Sequence, residues 1–502
     1  MKVVDVQEPL GLDHYAFQPH LAPAVTQLRA VGASIEPLLR HRRVWMLNSS
    51  SHGGGVAEML PKVIRLMRDV GVRAEWAVMQ PSRPEFFVLT KRLHNLIHGV
   101  GDLRLGPADR ELYEAVSRET ADELKSLLTP RDVLIVHDPQ PMGAGALLRK
   151  ELGLTAIWRS HIGLEEETPE TSAAWDFLRP YAEAYDYSIF SAAEYIPPLL
   201  STRASVIHPG IDPASWKNRE FPPTKLIGLL CNAGLAKPCH PVLRPDWKDP
   251  ARRLRPDGAF TPASEGEDVG FGYRPTVLQV SRWDRLKGWA PLLRGFALLK
   301  RRARAGDPLR RRRLDLLRLV LAGPDPSSIQ DDPEAVDALA ELVSEYRGLA
   351  PELRADVALL ALPMASRKEN ALMVNALQRC ASLVVQNSIR EGFGLTVTEA
   401  MWKRTPVLGT RALGLRLQIR DGIEGRINPA PEDPEAVAEI LDQMLGEPAA
   451  RESWGASAQR RVYDEFLVFT QVRRWLEVLG DLFARRAPAP SAALSAAPAP
   501  SP

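Results

Sequence analysis

The chain has 502 residues, and its 64 Lys and Arg side chains against 62 Asp and Glu leave a formal net charge of only +2. That length exceeds one ordinary hydrophobic core and suits two domains with extensions. The charge balance removes the main physical reason to expect nucleic-acid binding.

Three cysteines, Cys231, Cys239 and Cys380, with no CxxC pair, point to a reducing compartment rather than a disulfide framework. Cys231, Cys239 and His240 lack the fourth ligand and the spacing of a zinc site, so no metal is assigned. The first forty residues carry Asp5, Glu8, Asp13 and His14 and no long apolar run. No signal peptide is therefore expected, and no segment reaches the roughly 18 apolar residues of a membrane span. The expectation is a cytoplasmic enzyme with neither nucleic acid nor membrane as partner.

Residues 1–40 read as an N-terminal extension with a helix near Leu21–Leu39, followed by a first strand at Val44–Leu47. After it, Asn48 to Gly55 forms a loop with three consecutive glycines before a helix beginning near Val56. Missing Cβ atoms let backbone approach a bulky anion, although glycine runs also serve plain turns. Pro61 falls inside that helix, where it costs about 3 kcal/mol unless the helix is kinked there.

Strand-like runs follow at Ala74–Met79, Val133–His137, Thr155–Trp158, Ser188–Ser191 and Ser205–Ile207, with helical stretches between most of them. This alternation predicts an α/β fold with a parallel sheet covered on both faces. Ligands of such folds sit beyond the carboxyl ends of strands. Asp138, Gln140, Arg159 and His161 fall there, although His161 in isolation reads equally as a half-buried structural histidine.

Residues 209–218 read as a domain junction. From Gly228 to Arg274 the sequence is rich in Pro, Gly and mixed charge and poor in periodicity, which predicts an insertion ordered by contact or flexible. Regularity returns at Thr276–Ser281, a strand running into Arg282 and Lys287. Two cations five apart past a strand end suit a diphosphate, and equally an ordinary solvated surface. Further strands are predicted at Leu319–Ala322, Ala358–Leu362 and Leu383–Gln386. The basic run around Lys300 to Arg304 and Arg310 to Arg313 reads as a solvated face.

Ser382 to Thr410 reads as strand, glycine-bearing loop, helix and strand. The loop leads Gly392, Phe393 and Gly394 into a helix from Leu395 to Lys403, whose first N–H groups, near Thr396, and dipole favour an anion such as phosphate. Glu391 and Glu399 flank that anion site, and carboxylates beside phosphates suit sugar hydroxyls. Thr396-Val-Thr-Glu399 also has the form of a capping box, in which Glu399 would serve only a backbone N–H.

EGFGLTVTEAMWK (391–403) resembles the paired-glutamate motif of GT4-type retaining glycosyltransferases, and specifically of the trehalose synthase group, which includes trehalose phosphorylases. PEFFVLTKRLHNLIHG (84–99), DPQPMG (138–143), WRSHIG (158–163), YDYSIFSAAEY (185–195), SRWDRLKGW (281–289), AGPDPSSIQDDPE (322–334) and the segment 369–388 extend the likeness in order. The resemblance implies a GT-B fold of two Rossmann-like domains facing across a cleft. It implies domains at 41–215 and 276–453, a junction and insertion at 216–275, and C-terminal helices at 454–484 whose last member crosses back. An Ala/Pro tail at 485–502 is expected to be disordered.

For the site, the resemblance implies that Gly54 and Gly55 lie under a donor pyrophosphate and that Arg282 and Lys287 hold the donor phosphates. It also implies that Glu391 holds the donor sugar, Glu399 the nucleotide ribose, and that His161 lines the cleft near the transferred sugar. Asp138, Gln140 and Arg159 are acceptor-side candidates. The implied donor is a UDP or ADP form of glucose, the acceptor a small sugar, with no bound cofactor; Mg2+ as a non-structural activator and a homodimer complete the expectations. The chain departs from the pattern at Gly163, usually aspartate, at Asn387, usually lysine, and at Leu413, which interrupts a glycine pair. A phosphorylase, or a silent homologue that binds a sugar or a protein, is the alternative.

Overall fold

The computed structural model describes residues 1–51, 55–237, 247–304, 306–325 and 333–484. Gly54, Cys239, His240 and the tail from 485 lie outside the described residues.

Seven strands form the first sheet: β1 (Lys2–Val3), β2 (Arg43–Asn48), β3 (Arg73–Val78), β4 (Val133–His137), β5 (Thr155–Ser160), β6 (Tyr187–Phe190) and β7 (Ala204–Val206), in the order β1-β3-β2-β4-β5-β6-β7. All neighbours are parallel except β1 against β3. The second sheet contains β8 (Arg252–Leu254), β9 (Phe260–Pro262), β10 (Thr276–Val280), β11 (Arg318–Pro324), β12 (Val357–Leu362), β13 (Leu383–Val385), β14 (Val407–Thr410) and β15 (Gly425–Asn428). Its order is β15-β14-β13-β10-β11-β12-β8-β9, parallel apart from the β8–β9 hairpin on the β12 edge. Strands such as β4 and β12 are buried along their whole length, the pattern of parallel sheets covered by helices on both faces.

Each sheet reverses its winding once. The chain moves from β2 outward to β3 and returns to place β4 on the other side of β2; it moves from β10 to β11 and β12 and returns to place β13 beside β10. Crevices open at the carboxyl ends of strands at such reversals. The four loops that line them follow β2, β4, β10 and β13, and these loops carry most of the sequence candidates.

Two stretches differ from expectation. The N-terminal forty residues are integrated into the core: Leu12, Tyr15, Leu21, Val25 and Leu28 are buried, and Tyr15 donates to Asp212 at 2.7 Å. The segment 216–275 contributes the helix Pro223–Asn232 and the β8–β9 hairpin. Three-residue strands are too short to show period-two alternation, so this hairpin was invisible to pattern reading.

The helix Val468–Ala484 packs against the helices Ala22–Leu39 and Gly55–Asp69 of the N-terminal half. A Cβ at Gly480 would stand 2.4 Å from Ile35 Cδ1, and one at Gly210 would stand 2.8 Å from the backbone of Leu467. A side chain at Gly210 meets backbone and would push the start of the crossing helix off its seat, whereas the Ile35 side-chain tip can swing away from one at Gly480.

Candidate functional site

The two C-terminal-side loops are built around two buried glutamines. Gln279, on β10, donates to the Lys287 carbonyl at 2.9 Å and accepts from the Asn387 N–H at 2.9 Å, so one amide fixes both loops. Gln386, just past β13, donates to Ser281 Oγ at 2.8 Å, Ser388 Oγ at 2.9 Å and Glu391 Oε2 at 3.3 Å. Pattern reading missed both, because an amide inside an apolar strand carries no signal until its partners are known.

On this frame Lys287 Nζ meets Glu391 Oε2 at 2.8 Å, with each side chain 12% exposed. Ser388 Oγ also donates to that carboxylate oxygen, at 3.0 Å. The ion pair is thus ordered by neutral hydrogen bonds before any ligand arrives, the preorganisation a charge-handling site requires. Arg282 lies in the same loop as Lys287, and its charge contributes to lowering the pKa of His94 across the cleft.

The helix Leu395–Trp402 starts from Gly394, whose φ of +84° a side chain would disfavour. The capping-box alternative is not formed: Gly394 occupies the N-cap position with no side-chain cap, and the nearest cation to Glu399 is Lys217, at 4.0 Å. Behind Glu399, the buried Lys403 donates to the Glu399 carbonyl at 2.9 Å and to Asn218 Oδ1 at 3.1 Å. Burial pushes its amine down to about 7, with the Glu399 carboxylate opposing.

The approach to the helix is clamped by Gln418, which donates to the carbonyls of Phe393 and, at 2.9 Å, Gly414. A Cβ at Gly414 would lie 2.5 Å from Phe393 Cα, so this second glycine is required for close approach even though Leu413 precedes it. The Phe393 ring packs between His208 and Phe466, leaving its backbone to the loop. Thr396 accepts through its carbonyl from Gln378.

On the N-terminal side, His137 Nδ1 and His161 Nε2 stand 2.9 Å apart with their rings stacked at 11°. Only one proton fits between the two nitrogens, so their tautomers are coupled. His137 Nε2 is buried without a hydrogen-bond partner. Placing the shared proton on His137 strands a lone pair there rather than an N–H, and it makes His161 carry its own proton on Nδ1. Burial lowers both pKa values, that of His137 to about 3 and that of His161 well below the usual range.

The Asp138 Oδ1 accepts from the His161 N–H at 2.8 Å, and Asp138 holds a φ of +64°, a strained conformation of the kind found at functional sites. Burial pushes its carboxyl up to about 6, against the His161 N–H and Arg159. Gln140 is half-buried, with its Oε1 unpartnered among the described residues.

One sequence reading is corrected, and one departure from the family pattern is located. Arg159, an acceptor-side candidate, is fully buried and donates to Ser191 Oγ at 3.1 Å and the Ile207 carbonyl at 2.7 Å, so it underpins the loop instead of reaching an acceptor. Asn387, where the family pattern usually has lysine, is buried and donates to the carbonyls of Gly288 and Pro431 at 3.1 and 2.8 Å.

The halves meet over this site. Tyr195 Oη donates to the Gly392 carbonyl at 2.8 Å, Arg390 to the His98 carbonyl at 2.8 Å, and Lys217 pairs with Glu58 at 3.1 Å. A Cβ at Gly392 would lie 3.9 Å from the His161 carbonyl, and one at Gly55 would lie 3.8 Å from Leu395, so the glycine loops of both halves face one crevice. His94 and His98 meet edge-to-face, with ring centres 4.9 Å apart, on one face of their helix beside it. Burial pushes them to about 3 and about 4, with the Glu391 carboxylate raising and Lys287 lowering His98. Their i, i+4 spacing and their place in the segment 84–99 were the sequence signals for them.

Residues 46–197 match the family model described as trehalose synthase, N-terminal domain, and residues 269–461 that described as glycosyl transferases group 1. The chain is 32% identical over 449 residues to the trehalose synthase of Pyrococcus horikoshii, covering 88% of this chain and 91% of that protein. The chain belongs to the trehalose synthase family. A trehalose phosphorylase of Pleurotus pulmonarius is 26% identical over 86% of this chain and 56% of its own length. The solved α,α-trehalose-phosphate synthase (UDP-forming) of Burkholderia xenovorans, in complex with glucose-6-phosphate, superposes with a TM-score of 0.60 at 16% identity, covering 89% of this chain and 99% of that one. The fold is GT-B, and this member of the trehalose synthase family is a hexosyltransferase. No helix among its described residues is long and apolar enough to cross a membrane.

Proposed function

We propose that this trehalose synthase family member transfers glucose, with retention of configuration, from a UDP- or ADP-glucose donor to free glucose, giving trehalose. The observation that carries the proposal is the Lys287–Glu391 pair, preorganised at the β10/β13 reversal beside a helix N-terminus and facing the His161 loop. In this reading Arg282, Lys287 and the N–H groups near Thr396 stabilise the leaving diphosphate, the electrostatic contribution that usually dominates such catalysis. Glu391 accepts from the donor sugar, and Glu399, backed by Lys403 and Lys217, accepts from the ribose. Gly55 approaches the diphosphate from the other half.

The acceptor hydroxyl oxygen forms its bond to the anomeric carbon as the bond from that carbon to the phosphate oxygen breaks. Its proton passes to the departing phosphate on the same face, so no side-chain nucleophile is needed. His161, donating from Nδ1, serves the transferred sugar, and Asp138 and Gln140 line the acceptor side. Mg2+ as an activator and a homodimer belong to the same reading.

The test is incubation with UDP-glucose or ADP-glucose, with and without glucose, and chromatographic identification of the disaccharide. Trehalose formed only when both substrates are present is expected. Trehalose cleavage that depends on inorganic phosphate, with no use of nucleotide-glucose, would identify the phosphorylase alternative. No turnover with any donor would favour a silent binding homologue.

A further inference from the structure

The strongest feature outside the cleft lies at the opposite end of the N-terminal sheet. β2, β3 and β4 run parallel, so their carboxyl ends face the cleft and their amino ends form a base about 17 Å away along β2. At that base Arg43 on β2 is in register with Arg73 on β3, and Asp132 directly precedes β4. Like charges directly opposite on neighbouring strands are destabilising.

The one carboxylate available is already committed. Asp132 accepts from the Arg43 N–H at 2.9 Å, the Thr129 N–H at 2.9 Å and the Arg43 guanidinium at 2.9 Å. Burial alone would raise its pKa, but those donors hold the carboxyl below its ordinary value, so it stays charged and fully engaged. Arg73 and Arg131 are exposed, and among the described residues neither forms an ion pair. Together with His41 these groups line a cavity of about 480 Å³, within the range of small-ligand sites.

We propose that this cavity is a second ligand site, distinct from the cleft, for a small phosphorylated anion held by Arg73 and Arg131. A phosphoryl group in this cavity would give the unpaired Arg73 and Arg131 guanidiniums charge-assisted hydrogen bonds and screen Arg73 from Arg43. Occupancy has a route to the interdomain contact. The Arg131 carbonyl accepts from Arg42 at 2.8 Å, and the Arg42 guanidinium lies 4.3 Å from the centre of the Phe483 ring, near the end of the crossing helix. The proposal does not depend on the donor or acceptor assigned above.

The test is calorimetric titration of the full chain at low ionic strength with three probes: inorganic phosphate, glucose 6-phosphate and ADP. It uses wild type, the Arg73→Glu/Arg131→Glu variant and the Arg282→Ala/Lys287→Ala variant. Both reversed residues are exposed, so turnover and melting temperature of the first variant are expected to match wild type. A site kept in Arg282→Ala/Lys287→Ala and weakened at least about tenfold in Arg73→Glu/Arg131→Glu supports the proposal. Comparable affinity for phosphate and glucose 6-phosphate assigns recognition to the phosphoryl group; preference for ADP assigns it to a nucleotide. Equal binding by wild type and Arg73→Glu/Arg131→Glu, or no binding that survives in Arg282→Ala/Lys287→Ala, overturns it.

Discussion

Gly163 is where the chain departs from the aspartate of its family resemblance, and the geometry gives the departure a steric cause. A Cβ added there would lie 2.3 Å from Tyr195 Cγ, 2.5 Å from its Cβ and 2.6 Å from its Cδ1. These atoms are the root of the side chain, so no rotation of the ring relieves the overlap, and the two backbones must separate by about 1 Å. Overpacking of this kind costs about 1–3 kcal/mol. The strain falls on Tyr195, whose hydroxyl spans the cleft to the Gly392 carbonyl; losing that bond costs a further 1 kcal/mol or so.

Gly163→Ala should therefore lower the unfolding free energy by about 1–3 kcal/mol and raise the donor KM roughly five- to tenfold, since the loop that carries Glu391 loses its tether. Gly163→Asp should do more, because it adds a carboxylate to a buried position. The assay is chemical denaturation with steady-state kinetics on a double-mutant cycle with Tyr195→Ala. In the Tyr195→Ala background the overlaps with Cγ and Cδ1 are gone and only that with Cβ remains, so the Gly163→Ala substitution should cost less, giving a coupling of at least about 1 kcal/mol. Additive effects in that cycle, or a Gly163→Asp protein as stable and as tight for donor as wild type, would refute the steric reasoning.

Lys287→Ala should reduce kcat/KM by about 100-fold or more while the melting temperature moves little, because Ser388 and Gln386 still serve Glu391; steady-state kinetics beside a thermal melt check both halves of the statement. His137→Phe should lower kcat without a matching rise in donor KM and shift the 15N resonances of His161, because the proton that fixes its tautomer is gone; unchanged resonances would disprove the coupling. His94, His98, His137 and His161 all have folded pKa values below the usual 6.5. Above that pH both states are neutral and the groups add no pH dependence, whereas below it the unfolded chain takes up protons the folded one refuses. Stability should thus fall from about pH 6.5 towards pH 4, with these four groups taking up between about three and four protons on unfolding near pH 5.5; a denaturation series giving fewer than one would contradict the buried, neutral histidines.

What the sequence made legible follows from how local each signal is. β4 could be read to its ends because Val133–Val136 is apolar throughout and the strand is flanked by charge and proline. The loops after β2, β4, β10 and β13 could be placed at a cleft because parallel sheets put their ligand loops at carboxyl ends, whatever the side chains. Residues whose meaning depends on a distant partner stayed hidden. Gln279 and Gln386 look like polar interruptions of strands until their amides are seen to hold Lys287, Asn387 and Glu391. The capping-box pattern misled because a glycine at positive φ, two residues upstream of Thr396, already starts the helix. Arg159 looked like a ligand contact because it stands near a strand end, but its guanidinium turns inward to Ser191 and Ile207, and His161, one residue past the end of β5, comes to the opening. His137, the last residue of β4, touches His161 and yet lies out of solvent, with the chain turning at the strained Asp138 directly after it. A polar residue at the end of a buried strand is therefore best read as support for the loop that follows it, and the reacting groups are to be sought one or two positions further on.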